Sequence, residues 1–363
     1  MTNLGLYVHV PFCEKKCNYC DFYSFSPNGE MLDLYTNKVQ DEIKRWGVRA
    51  ARPIDSLYLG GGTPSLLGGE RIEGIVKTAK EAFMAAEDTE ITLECNPADD
   101  LADTLKSAAS AGVNRISLGV QTANEKILEK LGRRHRNSDV IKTVADARAA
   151  GIDNISLDLM IGLPESDMGD VANSLDFLLS LNPSHISVYI LKIEEGTVFG
   201  KNPPLLPDDD KVSEQYLFAA RYLKENGFSH YEISNFAKEG KMSRHNLKYW
   251  NCEEYIGIGP AAHSFLNGKR FFYERDINKF LGGMSPISDG EGGDREEYLM
   301  LRLRLSEGIK YNEFEKRFGR FPYDWKKTAE RLSGYGLVNL DNNGFALTEE
   351  GFLVSNKVLG EFI

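Results

Sequence analysis

Three cysteines lie close together near the start of the chain, at Cys13, Cys17 and Cys20 within CEKKCNYC. Their thiols are spaced by four and then three residues, which suits ligation of a metal centre. The other two cysteines, Cys95 and Cys252, stand apart and are interpreted as ordinary residues. Five cysteines do not make a disulfide framework in a chain of 363 residues, so the sequence indicates ligation or redox chemistry in a reducing compartment.

Three thiolates can serve two kinds of metal centre. A structural zinc site needs four ligands, and His9 is the available fourth, but it lies in a strand pattern and would have to fold back towards Cys13. An iron–sulfur cubane held by three thiolates keeps one iron open for a ligand. Phe22 stands two residues after Cys20, where a fourth cysteine could be placed. In this interpretation, the absence of a fourth thiol is functional because it leaves one iron open. Three small buried residues on one helical face are the third alternative, which the charged EKK disfavours.

The elements that must position this loop form an alternating series. Short apolar runs rich in β-branched residues alternate six times with amphipathic stretches of helical periodicity. This α/β pattern predicts a parallel sheet covered on both faces, either open and doubly wound or closed as an incomplete (β/α) barrel. The runs are LGLYVHV from Leu4, DSLYLG from Asp55, EITLEC from Glu90, RISLGV from Arg115, NISLDLMIG from Asn154 and HISVYIL from His185.

The rest of the chain changes character twice. We predict a core over residues 1–230, an irregular connecting region rich in aromatic residues and glycine over 231–292, and a winged-helix-like module over 293–363. The module has two short helices, a third helix, a hairpin turning between Asp341 and Gly344, and a closing helix. Its basic and acidic residues are balanced, which favours packing or partner docking over DNA binding.

Overall charge and hydropathy exclude several classes of protein. The net charge of −11 argues against a broad basic face for nucleic acid, and no apolar run is long enough to span a membrane. The start of the chain shows neither a secretory nor an import signal, so we expect a cytoplasmic protein. A DNA-binding regulator that senses iron through its cluster is an alternative from another class, but the C-terminal module lacks a basic stripe.

Polar residues occur where a barrel places its active site, at the carboxyl ends of the strands. The second strand ends in GGGTP, whose glycines let backbone groups approach a ligand and donate hydrogen bonds to it. The third, fourth and fifth strands carry Glu94, Gln121 and Asp158 near their ends. Any one of these could be a cap or a salt bridge, but their coincidence with the cysteine loop indicates a common site.

The pattern C-x-x-x-C-x-x-C, followed by an aromatic residue, resembles the signature of radical S-adenosylmethionine (SAM) enzymes, and the likeness covers nearly the whole chain. It implies a radical-SAM-type partial (β/α)6 TIM-like barrel with a smaller C-terminal winged-helix-like domain. In that family, the open iron of a 4Fe-4S cluster binds the methionine end of SAM, and an electron can split the sulfonium to give a 5'-deoxyadenosyl radical. The resemblance implies the metal ligands Cys13, Cys17 and Cys20. The SAM contacts that it implies are Tyr7, Tyr19, Phe22, Gly61, Gly62, Thr63, Glu94, Gln121, Arg133 and Asp158.

Two groups of the coproporphyrinogen-oxidase-like branch compete. The oxygen-independent coproporphyrinogen III oxidases have a fourth cysteine where this chain has Phe22, and an N-terminal extension where it has six residues before Tyr7. The heme chaperones, which bind heme and pass it on, carry H-N-x-x-Y-W, and this chain reads HNLKYW from His245. Read without the resemblance, the motif is also compatible with an aromatic cluster around a satisfied histidine. The implied heme contacts are His245, Asn246, Tyr249 and Trp250.

We therefore expect a heme chaperone, with the oxidase as the alternative. The implied partners are heme, heme-accepting proteins and an electron donor for the cluster, and no nucleic acid. Peripheral contact with membrane-bound heme proteins and a homodimer stay compatible with the sequence. The heme iron ligand is open, with Cys252, Tyr255 and His263 close to the motif. The sequence also leaves open whether SAM is cleaved, and therefore whether the protein is an enzyme.

Overall fold

Six parallel strands, adjacent in chain order, form the centre of the protein in a computed structural model that describes residues 3–97 and 100–363. Each strand pairs in parallel with the next, which confirms the α/β prediction of a parallel sheet with helical connections. The strands are β1 Leu4–Val10, β2 Ile54–Gly61, β3 Glu90–Cys95, β4 Arg115–Gln121, β5 Asn154–Ile161 and β6 His185–Ile190.

Helices connect these strands and cover the outer face of the sheet. Their apolar faces pack on alternate strand residues such as Leu57, Leu93 and Leu157, which are almost fully buried. Side-chain caps begin several helices; Asp167 accepts the backbone N–H of Asp170 at 2.9 Å, for example. The helices are α1 Gly29–Ala50, α2 Gly69–Ala82, α3 Ala102–Ala111, α4 Glu125–Lys130, α5 Asn137–Ala149, α6 Met168–Ser180, α7 Val198–Lys201 and α8 Asp209–Glu225.

Short strands extend the sheet at both edges, to twelve strands within the described residues. One group pairs with β1 and the other with β6. The region 231–292 is therefore more regular than we expected, because its strands of three to five residues are too short to show a period. The elements are β7 Ser229–Glu232, β8 Asn235–Ala237, α9 Arg244–Trp250, β9 Tyr255–Ile258, β10 His263–Leu266, β11 Lys269–Phe272, α10 Ile277–Leu281 and β12 Ile287–Glu291.

The C-terminal elements form a separate three-stranded sheet with helices, as the winged-helix-like prediction requires. The predicted hairpin turns where Asp341 Oδ1 accepts the N–H groups of Asn343 and Gly344, at 2.7 and 2.9 Å. The closing helix is divided into two short ones. The elements are α11 Arg295–Arg302, β13 Ile309–Lys310, α12 Tyr311–Phe318, α13 Tyr323–Gly334, β14 Val338–Leu340, β15 Gly344–Leu347, α14 Glu349–Leu353 and α15 Ser355–Gly360.

This module docks against the barrel through specific contacts. Phe352 packs edge-on against His230, and Arg317 donates to the backbone oxygen of Cys252 at 3.0 Å. Arg302, which is buried, donates to Asn251 Oδ1 at 2.5 Å. Within the described part of the chain, every helix is too short or too polar to cross a membrane.

Candidate functional site

A cavity of about 380 Å³ lies at the carboxyl ends of the barrel strands, where parallel barrels place their active sites. The thiols of Cys13, Cys17 and Cys20 all line it, and all three are free and half-buried. They come from the loop between β1 and α1. The structure thus brings the three predicted ligands to one cavity.

Backbone hydrogen bonds hold this cysteine loop against its neighbours. The N–H of Cys13 donates to the oxygen of Phe25 at 3.0 Å, and the N–H of Asn18 donates to the oxygen of Leu131 at 3.0 Å. The N–H of Phe199 donates to the oxygen of Asn18 at 2.9 Å. The loop is consequently closed on itself at Phe25 and anchored to two other segments, so the thiols are positioned before any ligand binds.

Polar groups contact two of the three sulfur atoms. Cys13 Sγ lies 3.4 Å from Thr63 Oγ1, and Arg133 Nη1 donates to Cys17 Sγ at 3.7 Å. The same guanidinium donates to the backbone oxygen of Gly119 at 2.5 Å and to Asn96 Oδ1 at 3.2 Å. The Arg133 guanidinium therefore links the cysteine loop to the ends of β3 and β4.

The donor set fits a cluster better than a single ion. Within the described ranges, no three Cys, His, Asp or Glu side chains converge as ligands of one metal ion. In a cubane, each thiolate binds a different iron, so ligands that surround a shared cavity suit it. His9, the candidate fourth zinc ligand, uses both ring nitrogens, towards Tyr7 Oη at 3.0 Å and the oxygen of Tyr23 at 3.2 Å. Burial lowers the pKa of His9 to about 4, which keeps the ring neutral.

The glycine turn after β2 lies directly against the cysteine loop. Gly61 has φ +108°, and a Cβ there would lie 2.5 Å from His9 Cε1. A Cβ on Gly62 would lie 2.5 Å from the backbone oxygen of Phe12, so glycine is required at both positions. The N–H groups of Gly61, Gly62 and Thr63 donate within the protein, to Glu94, Val10 and Phe12. The contact of these three residues with SAM stays a prediction.

Two carboxyl groups line the same cavity, one from β3 and one from β5, the strands on either side of β4. Glu94 accepts from Tyr58 Oη at 2.8 Å and from the N–H of Gly61 at 2.9 Å, while Asp158 accepts from Ser117 Oγ at 3.3 Å. Burial is the main cause that raises the pKa of Glu94 to about 7, and it also raises the pKa of Asp158. A cationic ligand would favour the ionised form of both groups.

The remaining predicted SAM contacts lie around these two carboxyl groups. Gln121 follows a register shift in β4 and has φ +70°, an uncommon conformation for a residue other than glycine. Tyr19 packs against the apolar cluster that contains Leu131 and Met160. Phe22 lines the cavity with 63% of its surface exposed. All ten predicted SAM contacts line this cavity except Tyr7, which lines a neighbouring one.

Sequence reasoning missed further residues that line the cavity. Three of them lie on strands that carry predicted contacts, at the alternate positions that share a face. Ser117 and Gly119 precede Gln121 on β4 in this way, and Met160 follows Asp158 on β5. The alternation of side chains along a strand, with a period of two residues, was the sequence signal that could have identified them. The missed residues include Asn96, Ser117, Gly119, Met160 and Tyr189.

A second cavity, of about 520 Å³, adjoins the first and shares Phe22, Gly61 and Glu94 with it. We call it the aromatic cavity, because rings supply most of its wall. It lies between the ends of β1 and β9, the cysteine loop and the β10–β11 hairpin. Its other lining residues include Tyr7, Tyr23, Tyr249, Tyr255, His263, Phe272, Tyr273 and Arg275.

The HNLKYW motif lies on α9, and its four predicted heme contacts differ in position. Only Tyr249 lines the aromatic cavity. His245 is buried, with Nδ1 2.9 Å from Ser56 Oγ and Nε2 2.8 Å from Tyr249 Oη, so both ring nitrogens are engaged. The ring of Trp250 lies beneath the guanidinium of Arg304 at 4.8 Å, and Asn246 is half-buried.

A buried carboxylate fixes the motif to the barrel. Glu90, at the start of β3, accepts the N–H groups of Arg244 and His245, each at 3.0 Å. These are donors in the first turn of α9, which have no partner inside the helix. Ser243 accepts the N–H of Asn246 at 3.4 Å and completes the cap. The position of Tyr249 in the cavity therefore depends on β3.

Comparison with known proteins agrees with this architecture. The profile of the Radical SAM superfamily matches residues 7–178, and that of the HemN C-terminal domain matches residues 294–354. The fold is similar to that of coproporphyrinogen III oxidase (HemN) from Escherichia coli, a radical SAM enzyme, with a TM-score of 0.86 over 99% of this chain and 90% of that one. The identity is 22%, so this likeness concerns the fold alone.

The barrel, the cysteine-lined cavity and the C-terminal module define a radical SAM protein of the HemN-like type. The chain is 35% identical to the heme chaperone HemW of Bacillus subtilis (strain 168), over 98% of both chains. It is also 35% identical to the heme chaperone HemW of Escherichia coli (strain K12), over 99% of this chain and 98% of that one. The chain belongs to the HemW family, and the predicted resemblance is confirmed.

Proposed function

We propose that this protein is a heme chaperone, which binds heme and delivers it to recipient proteins. The observation that carries the proposal is the similarity, over nearly the whole chain, to the HemW proteins of Bacillus subtilis and Escherichia coli. Both are described as heme chaperones. The aromatic cavity beside the cysteine loop supports it, since flat apolar rings suit a macrocycle. The fold likeness to HemN carries no oxidase assignment, because unrelated chemistries share one fold.

The cluster and SAM are the cofactors that we propose for the first cavity. Cys13, Cys17 and Cys20 would hold a 4Fe-4S cluster, which offers SAM an open iron and an electron. The ten predicted contacts would hold SAM, with Tyr7 acting from the aromatic cavity. Arg133 would donate a hydrogen bond to the Cys17 sulfur, and the glycine turn would allow close approach of the backbone.

Heme is the cargo that we propose for the aromatic cavity. Tyr249 contributes to its wall, and His245 holds the Tyr249 hydroxyl, so the motif would act mainly by shaping the cavity. Asn246 and Trp250 would support α9 from outside the cavity. Division of the chain into residues 1–230, 231–292 and 293–363 is part of this proposal, with the wall of the heme cavity shared between the first and the middle segment.

The proposal includes the cytoplasm as the site of action, where cysteines stay reduced. It requires an electron donor for the cluster and heme-accepting proteins as partners. Homodimers and peripheral contact with membrane-bound heme proteins are compatible with it. Balanced charge in the C-terminal module favours protein partners over nucleic acid.

A paired assay tests the function directly. After anaerobic reconstitution, the protein is titrated with hemin and, separately, is given coproporphyrinogen III with reductant and SAM. We expect saturable hemin binding by absorbance and no protoporphyrinogen by chromatography, because Phe22 departs from the oxidase pattern. Robust conversion of coproporphyrinogen III together with weak hemin binding would replace the chaperone proposal with the oxidase.

SAM binding is expected to weaken as the pH falls through about 7. Glu94 has its pKa raised to about 7, so acidification protonates it and removes its attraction for the sulfonium and ammonium of SAM. Between pH values of about 8 and about 6, the affinity should fall about tenfold if this one carboxylate controls it. Calorimetric titration of reconstituted protein at each pH measures the change.

Glu94→Gln is the matched control for that titration. The amide keeps the shape of the side chain but does not titrate, so its SAM affinity should stay low and flat over the same range. Wild-type binding should also release a proton, which comparison of buffers with different ionisation heats detects. An equal pH dependence in both proteins would show that another group is responsible.

A further inference from the structure

We propose that His263 is the axial ligand of the heme iron in the aromatic cavity. This inference rests on the proposed function, since it assumes that the cargo is heme. His263 lies outside the HNLKYW motif and is the first residue of β10. A histidine nitrogen is a common protein ligand of heme iron.

His263 is distinguished by its surroundings from the other five histidines, all of which lie in the described residues. It is exposed, lines the aromatic cavity, and makes no side-chain hydrogen bond within the described part of the chain. His9, His185 and His245 each use both ring nitrogens. His135 is buried and bonded to the oxygen of Val120. His230, the remaining histidine, lies near Glu349 and is covered by the C-terminal module.

The other candidate ligands near the motif are less suitable. Cys252 is buried with 3% of its surface exposed, and burial raises the pKa of its thiol, which disfavours the thiolate. Tyr255 lines the cavity, but burial raises the pKa of its hydroxyl, and Arg270 donates to it at 3.4 Å. His245 would have to lose a bond to Ser56 or Tyr249 before it could bind iron. His263 needs no such rearrangement.

The hairpin presents the His263 ring in a defined orientation. His263 lies directly opposite Phe272 in the antiparallel pair, and their rings stack at 5.2 Å with an interplanar angle of 23°. Such cross-strand pairs stabilise one side-chain arrangement. The preceding turn is close-packed: a Cβ on Gly259 would lie 2.4 Å from the backbone oxygen of His9. The imidazole is therefore held at the cavity by a rigid support.

A positive charge suited to a propionate lies in the same cavity. Arg275 is 55% exposed and donates to the backbone oxygen of Asp21 at 2.5 Å, while Nη1 lies 3.5 Å from Asp21 Oδ2. A guanidinium has five N–H donors, so it can also bind a carboxylate. Asp21 directly follows Cys20, and Phe22 lines both cavities. A heme bound here would therefore contact the cysteine loop.

Hemin titration of His263→Ala in the full-length reconstituted protein tests the assignment. Since loss of even an outer partner of a metal ligand costs about 10- to 100-fold in affinity, we expect hemin binding to weaken at least about tenfold. The iron–imidazole signature in resonance Raman and electron paramagnetic resonance spectra should be lost. Added imidazole should restore that signature in the variant. Lys269→Ala, exposed on the same hairpin, is the matched control and should bind hemin as the wild type does.

Metal-free protoporphyrin IX separates ligation from cavity shape. It has no iron, so the wild type and His263→Ala should bind it equally. A parallel loss of protoporphyrin binding would show that His263 shapes the wall instead, and would overturn the assignment. Unchanged hemin affinity and spectra in His263→Ala would also overturn it, while leaving the chaperone proposal intact. Failure of the wild type to bind hemin would overturn both.

Discussion

Replacement of Cys17 by serine is expected to abolish the iron–sulfur cluster and, with it, the response to SAM. The iron content of reconstituted protein should fall from about four atoms per chain to near zero, because two thiolates cannot hold the cubane in the cavity. The brown cluster absorbance and its perturbation by SAM should disappear together. The fold should survive, since Cys17 is half-buried and the hydrogen bond that its thiol accepts from Arg133 is long, at 3.7 Å.

Cys252→Ser is the control for this prediction. Cys252 is a free cysteine that lies outside the cavity, so its variant should keep the full iron content and the SAM response. Iron analysis and absorbance spectra of oxygen-protected samples compare the two proteins. If Cys17→Ser keeps about four irons and a SAM-dependent spectrum, the cluster is held by other ligands. Stoichiometric zinc in the wild type would contradict the cluster assignment altogether.

The central barrel could be predicted because its strands are long and nearly continuous in apolar residues. β1 and β5 have seven and eight residues, most of them buried, so both faces are constrained by packing. The first cavity followed from the same pattern, since parallel strands bring their carboxyl ends together. Glu94, Gln121 and Asp158 therefore converge as the order of the strands requires.

The aromatic cavity could not be predicted in the same way. Its wall combines β1, the cysteine loop, α9 and the β10–β11 hairpin, which are distant in sequence. The strands β9, β10 and β11 have four residues each, which is too short for a readable alternation. The sequence left the iron ligand open: in the structure both ring nitrogens of His245 are hydrogen-bonded, whereas His263 lines the cavity. Only tertiary contacts distinguish these two histidines.

Phe22 stands where the oxidases have a fourth cysteine, and in the structure it lies between the two cavities. A fourth cysteine at this position would lie at the boundary between them, because Phe22 lines both. An exposed aromatic ring can contact SAM on one side and a macrocycle on the other. The cluster loop and the proposed heme cavity are thus adjacent, which offers a physical route by which SAM binding could influence heme retention.

Replacement of Glu90 by alanine is expected to destabilise the protein and to weaken heme binding together. Glu90 is 6% exposed and accepts two N–H groups of α9, and hydrogen bonds to charged groups contribute about 1.5–3 kcal/mol each. Loss of both should lower the free energy of unfolding by about 3 kcal/mol, since the first turn of α9 keeps buried donors without a partner. Because α9 carries Tyr249 into the aromatic cavity, hemin affinity should fall as well.

Two further variants identify the cause of that loss. Glu90→Gln keeps one carbonyl oxygen in place and should lose about half as much stability, because it accepts one of the two N–H groups. Glu87→Ala removes an exposed carboxylate three residues earlier on the chain and should change the unfolding free energy by less than about 0.5 kcal/mol. Urea unfolding and hemin titration of the three proteins measure both effects. If Glu90→Ala is destabilised but keeps full hemin affinity, the position of α9 does not control heme binding. The cap formed by Glu90 would then support the fold without positioning Tyr249.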